Sequence, residues 1–326
     1  RFWEKFTLLY LFTSPLFRLS DQMDVFANFG IVEKPPILDN IIDDIEISLA
    51  PDPKNEQFLS LEAGLNLRAM AGRLNARFNF YNTSWKDRTV TKLVLSGAGS
   101  STDTDVIFLT GMNQKHSGLE AEIAFQPMNM FRLDVALSFG MWEYTNDADG
   151  TYKNIAQQTS EDYVYSIEGL KVGDMPQTIL SLGGSVFPIK GLSIQAVFNY
   201  YDRHWADWDP LSRQVDDTDG DGTLSTAELD AADRDDSWQV PSASKIDLHA
   251  SYDLPIDLGG IKLQAYAHVF NLTDALFVQD ATDNSSYNAF NTGYPDYEIV
   301  NPHKADAAEV YLSSPRYMNF GLSVKF

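Results

Sequence analysis

Polar and apolar residues alternate along most of this chain, and that period of two constrains the fold more than any other feature. Successive side chains of a β-strand point to opposite faces, so each alternating run predicts a strand with one oily and one wet face. One run sets Leu133, Val135 and Leu137 against Arg132 and Asp134. Other predicted strands lie at about 24–29, 59–68, 73–80, 118–126, 177–187, 191–201, 245–254, 261–270 and 317–326. The sequence therefore predicts an all-β, antiparallel protein.

The connections between these runs alternate strictly between short turns and long polar segments. The short turns carry the Gly, Pro or Asn that tight turns require, and they lie at 69–72, 127–129, 188–191 and 255–260. The long segments lie at about 31–56, 87–115, 146–176, 203–242 and 271–313. Structureless segments of this length are uncommon in compact soluble domains, whereas outer-membrane barrels combine short periplasmic turns with long extracellular loops. The pattern indicates a transmembrane β-barrel.

Composition limits the partners. Asp and Glu number 46 against 24 Lys and Arg, giving a net charge of −22 without any basic stripe, so no nucleic-acid partner is expected. The chain has no Cys, which excludes a disulfide scaffold and a thiolate metal site. The apolar stretch 6–17 is interrupted by Thr13-Ser14-Pro15 and is interpreted as a strand rather than a signal peptide, with the true N-terminus missing.

Aromatic residues gather where predicted strands meet long segments. Trp and Tyr favour membrane–water interfaces, because their rings are half apolar and half polar. The residues in question are Trp85, Trp142, Tyr144, Tyr200, Tyr201 and Trp205. We expect them to form the outer aromatic girdle of a barrel.

Several landmarks resemble the C-terminal barrel of TonB-dependent outer-membrane receptors. In chain order they are Asn55-Glu56 with 61–65, Asn79–Asn82 with 85–88, Gly118–Glu122 and Phe270–Asp274, followed by an aromatic last residue, Phe326. The resemblance covers nearly all of residues 1–326. It implies a 22-stranded barrel around an N-terminal plug, of which this chain resembles about 10–11 strands and lacks the plug. We therefore expect an open, curved sheet whose edges are a strand at or just before 24–29 and the strand 317–326.

The same resemblance implies a function. Such receptors import a nutrient ligand across the Gram-negative outer membrane, surrounded by outer-membrane lipid and lipopolysaccharide, and the TonB system acts through the plug region that is missing here. A non-energised porin or adhesin-like barrel is the first alternative, and a soluble secreted calcium-binding β protein is the second. An enzyme is not expected. His249 and Ser251 share a strand face, but alternation alone explains this.

The sharpest local motif is a twelve-residue segment, 217–228, within the predicted extracellular loop 203–242. It matches the calcium loop of an EF-hand, in which alternating carboxylates, a Gly turn and a terminal Glu surround the ion. The expected Ca²⁺ ligands are Asp217, Asp219, Asp221, the Thr223 carbonyl, Ser225 and Glu228. We expect a structural calcium ion that stiffens this loop and holds Trp205 and Trp208 for ligand or surface contact.

The five histidines show no metal-ligand spacing. They lie at positions 116, 204, 249, 268 and 303, scattered over the chain. Because none has a partner in sequence, we expect solvated or lumen-facing side chains.

Overall fold

A computed structural model describes residues 9–38, 41–43, 48–49, 54–95, 104–155, 157–256, 259–285 and 302–325. The strands within these ranges are β1 (Leu9–Thr13), β2 (Leu16–Ser20), β3 (Met23–Lys34), β4 (Ile42–Asp43), β5 (Ser48–Leu49), β6 (Glu56–Ala69), β7 (Leu74–Leu95), β8 (Thr104–Met128), β9 (Phe131–Tyr144), β10 (Ala148–Asn154), β11 (Thr159–Tyr165), β12 (Thr178–Val186), β13 (Leu192–Asp202), β14 (His204–Trp205), β15 (Asp207–Trp208), β16 (Gln239–Val240), β17 (Ala243–Asp253), β18 (Lys262–Phe270), β19 (Val278–Asp283), β20 (Glu309–Leu312) and β21 (Tyr317–Lys325). A short helix, α1, spans Thr226–Ala231, and 3-10 turns lie at Met70–Gly72 and Pro210–Ser212. Within the described ranges, no helix is both long enough and apolar enough to cross a membrane.

Eleven strands form one continuous antiparallel wall. Their order is β1-β3-β6-β7-β8-β9-β12-β13-β17-β18-β21, and β2 pairs with β3 below β1 on the same edge. Pro15 separates β1 from β2, as expected on an edge strand, because proline has no N–H to donate to a neighbour. The predicted strand at 6–17 is confirmed from Leu9 onward, and residues 1–8 lie outside the described part of the chain.

The wall is open. Among the described strands, β1 and β2 pair only with β3, β21 pairs only with β18, and no pairing joins the two edges. The predicted incomplete barrel is thereby confirmed, with eleven wall strands and the expected edges. Phe326, which ends the predicted last strand, lies outside the described residues.

The register keeps one face apolar across the whole wall. Directly opposed residues of neighbouring strands share a face. The apolar face is therefore extended from strand to strand by the pairs Leu65–Phe78, Ala121–Leu137 and Leu137–Leu180. Apolar positions on this face include Phe29, Leu61, Leu74, Phe80, Leu119, Leu133, Leu182, Phe198, Ile246, Leu248, Val269, Phe320 and Leu322. Leu133, Val135 and Leu137, the apolar residues of the alternating run described above, therefore lie on this side. Phe320 is 85% exposed to solvent, an arrangement that suits lipid and not water.

The opposite face is polar. Its side chains include Asn28, Glu62, Asn66, Arg77, Asn79, Glu120, Glu122, Asp134, Ser138, Ser181, Gln195, Asn199, Lys245, His249, His268 and Asn319. In a transmembrane barrel this side lines the interior. The wall therefore has the two chemically distinct surfaces that alternation predicts.

Aromatic rings cover glycines on this polar face. Tyr81 lies over its cross-strand partner Gly118, where an added Cβ would fall 2.5 Å from the Tyr81 hydroxyl oxygen and 2.7 Å from the Phe139 carbonyl oxygen. The Trp142 indole donates a hydrogen bond of 2.8 Å to that hydroxyl. Phe26 over Gly64 and Tyr266 over Gly321 repeat the arrangement. These pairs fasten neighbouring strands in register.

The predicted short turns at 69–72, 127–129 and 188–191 are confirmed, and residues 257–258 of the turn predicted at 255–260 lie outside the described residues. Two of the predicted long segments contain paired strands rather than free loops. β7 and β8 contain 22 and 25 residues. At about 3.3 Å per residue, β8 extends roughly 80 Å, far beyond the apolar band of about 25 Å in an outer-membrane barrel. The segment 87–115 is thus largely a hairpin continuing the wall, and β10 and β11 occupy part of 146–176. Strand pairing satisfies the hydrogen bonds of the backbone N–H and C=O groups, which in a free loop would bond to water.

Arginine at Leu137 should block assembly of the wall, because a charge on the lipid face at mid-depth costs about 2–4 kcal/mol. Arginine at the neighbouring Ser138 should be tolerated, since Ser138 lies on the polar face opposite Glu120. The assembled fraction of each variant in outer-membrane vesicles measures the difference. Equal assembly of the two variants would show that the faces are wrongly assigned.

Alanine at Gly118 should destabilise the wall by about 1–3 kcal/mol, because the Tyr81 ring must move to admit a Cβ. Gly184→Ala is the matched control, since nothing lies within 4 Å of an added Cβ there. That variant should be neutral or stabilising by up to about 1 kcal/mol. Urea unfolding in lipid vesicles measures both, and equal unfolding midpoints would contradict the role of the covering ring.

Candidate functional site

A hydrophobic core lies at the end of the wall opposite the short turns. Its buried members are Val94, Ile107, Leu109, Met112, Tyr144, Ala148, Tyr165, Ile167, Leu170 and Trp208. They come from the upper parts of β7 and β8, from β9 to β11 and from the segment after β13. β10 pairs with the part of β8 that extends beyond β9, and this pairing brings Ala148 and Tyr165 to the core. The extracellular segments therefore fold around apolar contacts of their own.

Trp205 and Trp208 are both buried, and Trp208 belongs to this core. They are 8% and 2% exposed, and the Trp208 ring lies 6.2 Å from that of Tyr144 and 6.4 Å from that of Tyr165, measured between centroids. The expectations that Trp205 joins a lipid girdle and that both rings are held for surface contact are wrong. Packing between loops, which sequence position does not reveal, buries them.

Two extracellular segments distant in sequence are joined beside this core. β15 pairs in parallel with β19, placing Asp207 opposite Thr282 and Trp208 opposite Asp283. Lys92 at the top of β7 forms an ion pair with Asp207. Burial, reinforced by the neighbouring Asp207 and Asp280 carboxylates, raises the pKa of Asp174 to about 6. The junction therefore concentrates negative charge around a single lysine–aspartate pair.

A charged network completes the junction. The Arg213 side chain is 0% exposed, with Nη1 at 3.3 Å from Asp233 Oδ1 and Nη2 at 3.8 Å from Asp283 Oδ2. His303 bridges the same two carboxylates, through Nε2 to Asp233 at 2.7 Å and through Nδ1 to Asp283 at 2.6 Å. A buried guanidinium requires such partners, because an unpaired buried charge is strongly destabilising. The network ties the segment after β15 to both ends of the 271–313 segment.

Burial disfavours the charged form of His303, but the carboxylates of Asp283 and Asp233 outweigh it and hold its pKa above the usual value. Partial burial favours the neutral form of Asp233, but hydrogen bonds from His303 and from the Asp235 backbone outweigh it and hold the pKa of this carboxyl below its usual value. The network is therefore strongest when His303 carries its proton.

A recess of about 280 Å³ opens on the polar face at this end of β13 and β17. Tyr201, Lys245 and Phe277 line it, together with His204, which is 5% exposed. Among the described residues the His204 Nε2 atom has no hydrogen-bond partner, and burial lowers the pKa of the ring. A neutral imidazole, an ammonium group and two aromatic rings offer contacts to a ligand that is part polar and part flat.

The predicted calcium segment, 217–228, follows the Pro210–Ser212 turn, and its last three residues begin α1. Carboxylate oxygens of Asp217, Asp219 and Asp221 lie within 4.8 Å of one another, and all three side chains are exposed. Calcium–oxygen bonds of 2.3–2.6 Å place opposed ligands about 5 Å apart, so these three oxygens fit around one ion. Backbone N–H groups of Gly220 and Gly222 donate to Asp217 and fix its orientation.

The other three predicted ligands are engaged differently. Glu228 Oε1 accepts hydrogen bonds from the Thr218 backbone and hydroxyl, and Oε2 accepts from those of Ser225, which caps α1. Bonds from Thr218 and Ser225 lower the pKa of Glu228 to about 2. The Thr223 backbone and hydroxyl both donate to Asp221. The structure thus brings three of the six residues together, while Glu228, Ser225 and the Thr223 N–H and hydroxyl take part in hydrogen bonds within the loop.

Sequence inspection missed two groupings of histidine. The His303 network joins residues up to 90 positions apart, so no local sequence pattern predicts it. His249 and His268 are directly opposed across β17 and β18, with their Nδ1 atoms 2.9 Å apart. The second pairing had a signal, because both residues alternate onto the polar face and the turn at 255–260 sets their register. His249 and His268 lie on the polar face, as expected for lumen-facing side chains, whereas His204 is buried and His303 is held in the charged network.

A family model described as "TonB dependent receptor-like, beta-barrel" matches residues 5–272. A search of curated proteins found no match. The fold is similar to that of FpvA from P. aeruginosa, solved with heterologous pyoverdines, at a TM-score of 0.54 and 16% identity over 95% of this chain and 32% of that one.

The siderophore receptor PiuA from Acinetobacter baumannii is similar at a TM-score of 0.58 and 12% identity, over 95% of this chain and 35% of PiuA. The copper transporter OprC is similar at a TM-score of 0.57 and 14% identity, over 96% of this chain and 38% of OprC. The chain thus spans about a third of the length of these solved proteins. At such identities the likeness concerns the fold.

Raising the pH should loosen the junction between β15 and β19. Because the folded-state pKa of His303 is raised, the stability it contributes is present below about pH 6.5 and is lost as pH rises through the folded-state pKa. Hydrogen exchange of the amides in Asp207–Trp208 and Thr282–Asp283, corrected for intrinsic rate, should accelerate over that range. In His303→Gln the acceleration should be smaller, leaving only the part that ionisation of Asp174 causes, and a pH response as large as that of the wild type would contradict the mechanism.

Proposed function

Because this chain belongs to the TonB-dependent receptor-like β-barrel family, we propose that it forms the conducting wall of a receptor that imports a nutrient ligand. It is an outer-membrane protein of the Gram-negative type, in a family of receptors and transporters rather than enzymes. The observation that carries the proposal is the eleven-strand wall with one continuous polar face and its long connections at one end. The outer-membrane placement is inconsistent with the soluble calcium-binding alternative.

The recess lined by Tyr201, His204 and Lys245 is the proposed first contact for the ligand. It lies on the polar face, at the end of the wall where a ligand from outside would arrive. FpvA was solved with pyoverdines and OprC is described as a copper transporter, so a metal-bearing nutrient is the first ligand class to test.

The partners follow from the family. We propose that outer-membrane lipid and lipopolysaccharide surround the apolar face, and that energy comes from the TonB system. The chain spans about a third of the length of the solved proteins, and we assign the TonB contact to none of its residues. A non-energised porin or adhesin-like barrel remains the competing proposal, because the wall alone has no feature specific to energised transport.

Energised uptake distinguishes these two. Cells expressing the complete receptor should accumulate a labelled metal chelate that deletion cells do not, and a protonophore or deletion of tonB should abolish the accumulation. A porin would admit the chelate at a rate unaffected by either treatment. Uptake that survives loss of the proton gradient would therefore overturn the energised receptor.

We also propose that residues 217–228 bind one structural calcium ion. Asp217, Asp219 and Asp221 are already grouped for it, and the Thr223 carbonyl, Ser225 and Glu228 would complete the oxygen ligands. Bidentate binding by Glu228 requires its carboxylate to leave the hydrogen bonds with Thr218. The ion would supply positive charge that relieves repulsion among the carboxylates.

Calorimetry on the intact protein should show one Ca²⁺ bound with a dissociation constant of about 10⁻⁴–10⁻³ M, the range of extracellular modules. Asp217→Ala/Glu228→Ala should abolish the binding heat. Asp235→Ala/Asp236→Ala, which removes the same charge from the same segment outside the motif, should retain it. No heat in the wild type, or equal loss in both variants, would leave only a non-specific acidic surface.

A further inference from the structure

Two histidines face each other on the polar side of the wall. His249 in β17 and His268 in β18 are direct cross-strand partners, their Nδ1 atoms are 2.9 Å apart and their ring centroids 5.0 Å apart. Both side chains are half-buried, so the pair remains open to the lumen. With neutral rings, this contact is a hydrogen bond from one Nδ1–H to the other Nδ1.

The pair lies in a row of four nitrogen- or oxygen-bearing side chains. Gln195 in β13 is directly opposite His249, and Asn319 in β21 is directly opposite His268. The row therefore crosses four adjacent strands at one level, with an amide at each end. Directly opposed side chains are about 4.5–5.5 Å apart at Cβ, so each amide can reach toward the imidazole beside it.

Neighbouring rings restrain the two imidazoles. The Phe270 ring lies 5.4 Å from that of His249, and the Tyr266 ring lies 5.4 Å from that of His268, between centroids. The nearby Asp247 carboxylate is occupied, since it accepts from the Asn271 backbone and pairs with Lys245. Packed rings and the absence of a competing carboxylate bond leave the two Nδ1 atoms directed at each other.

The 2.9 Å separation is that of a hydrogen bond, and it shows that the two nitrogens are close enough to share one metal ion. With metal–imidazole bonds of about 2.05 Å, two nitrogens are about 2.9 Å apart at a 90° angle and about 3.3 Å apart at the tetrahedral angle, so small ring rotations suffice for either geometry. Cu²⁺, which prefers tetragonal positions, binds imidazole sites most strongly among the divalent first-row metals. Hard cations such as Ca²⁺ favour oxygen ligands, so we do not expect them to bind this pair of nitrogens.

We propose that His249 and His268 form a bidentate site for a divalent transition-metal ion, with Cu²⁺ as the strongest binder. On binding, the proton on one Nδ1 moves to Nε2 of the same ring, so both rings stay neutral and both Nδ1 lone pairs bind the ion. Gln195, Asn319 and water are the candidates for the remaining positions. The site depends neither on energised transport nor on the calcium segment.

The test uses the complete receptor, purified in detergent, freed of tag and stripped of metal. Titration with Cu²⁺ alone should show one tight site, and pulsed EPR should count two coordinated imidazoles. His249→Gln and His268→Gln should each weaken Cu²⁺ binding by at least about tenfold. His116→Gln is the control, because His116 lies on the same face of the wall but pairs with no second histidine.

The outcomes are decisive in either direction. Copper bound through two imidazoles, weakened by both test substitutions and not by His116→Gln, would support the site. No tight copper site, a single imidazole, or undiminished binding in His249→Gln/His268→Gln would overturn it and leave a structural hydrogen bond. If a variant fails to fold, the imidazole count in the wild type still decides. Displacement of Cu²⁺ by equimolar Zn²⁺ would overturn the assignment of Cu²⁺ as the strongest binder.

Discussion

Backbone hydrogen bonding in lipid is the constraint on which the rest of this structure depends. No water is available in the bilayer core, so each wall strand must satisfy its N–H and C=O groups with both neighbours. The nine inner strands of the wall do so in one uninterrupted antiparallel order, and the edge strands β1 and β21 pair on one side only within the described residues. The same ladder fixes the register, and the register aligns the apolar side chains of the alternating runs on one face. Slipping one strand by a single residue would bring residues such as Glu120 and Asp134 to the lipid.

Outside the membrane the constraint changes, and so does the architecture. Water can satisfy backbone groups there, yet β7 and β8 continue as a paired hairpin and recruit β10 and β11. Apolar burial explains why, since Ile107, Leu109 and Trp208 are removed from water only when these segments pack together. The outer part of the protein is therefore a folded layer with its own hydrophobic core. Among the described residues, the wall below it has no comparable hydrophobic core.

Charge is handled differently in the two regions. On the polar face, carboxylates such as Glu62 and Glu120 accept hydrogen bonds from the amides Asn28 and Asn79. In the outer layer the buried Arg213 is matched by Asp233 and Asp283, with His303 between them. That second arrangement contains His303, whose pKa is raised by the two carboxylates, so this part of the outer layer is most stable when His303 carries its proton.

The sequence by itself determined the strands, their faces and the positions of the turns, because alternation and turn chemistry are local: Leu137 and Ser138 can be assigned to opposite faces from their neighbours alone. It also placed three carboxylates of the 217–228 segment together, since their spacing is local. It misjudged Trp205, Trp208 and His303, because their environments depend on contacts between segments far apart in the chain. The His249–His268 pair falls between these cases, since its shared face is local but its 2.9 Å contact required the β17–β18 register. Tertiary structure alone decided which outer segments meet, since loop packing follows from shape and burial that no short pattern encodes.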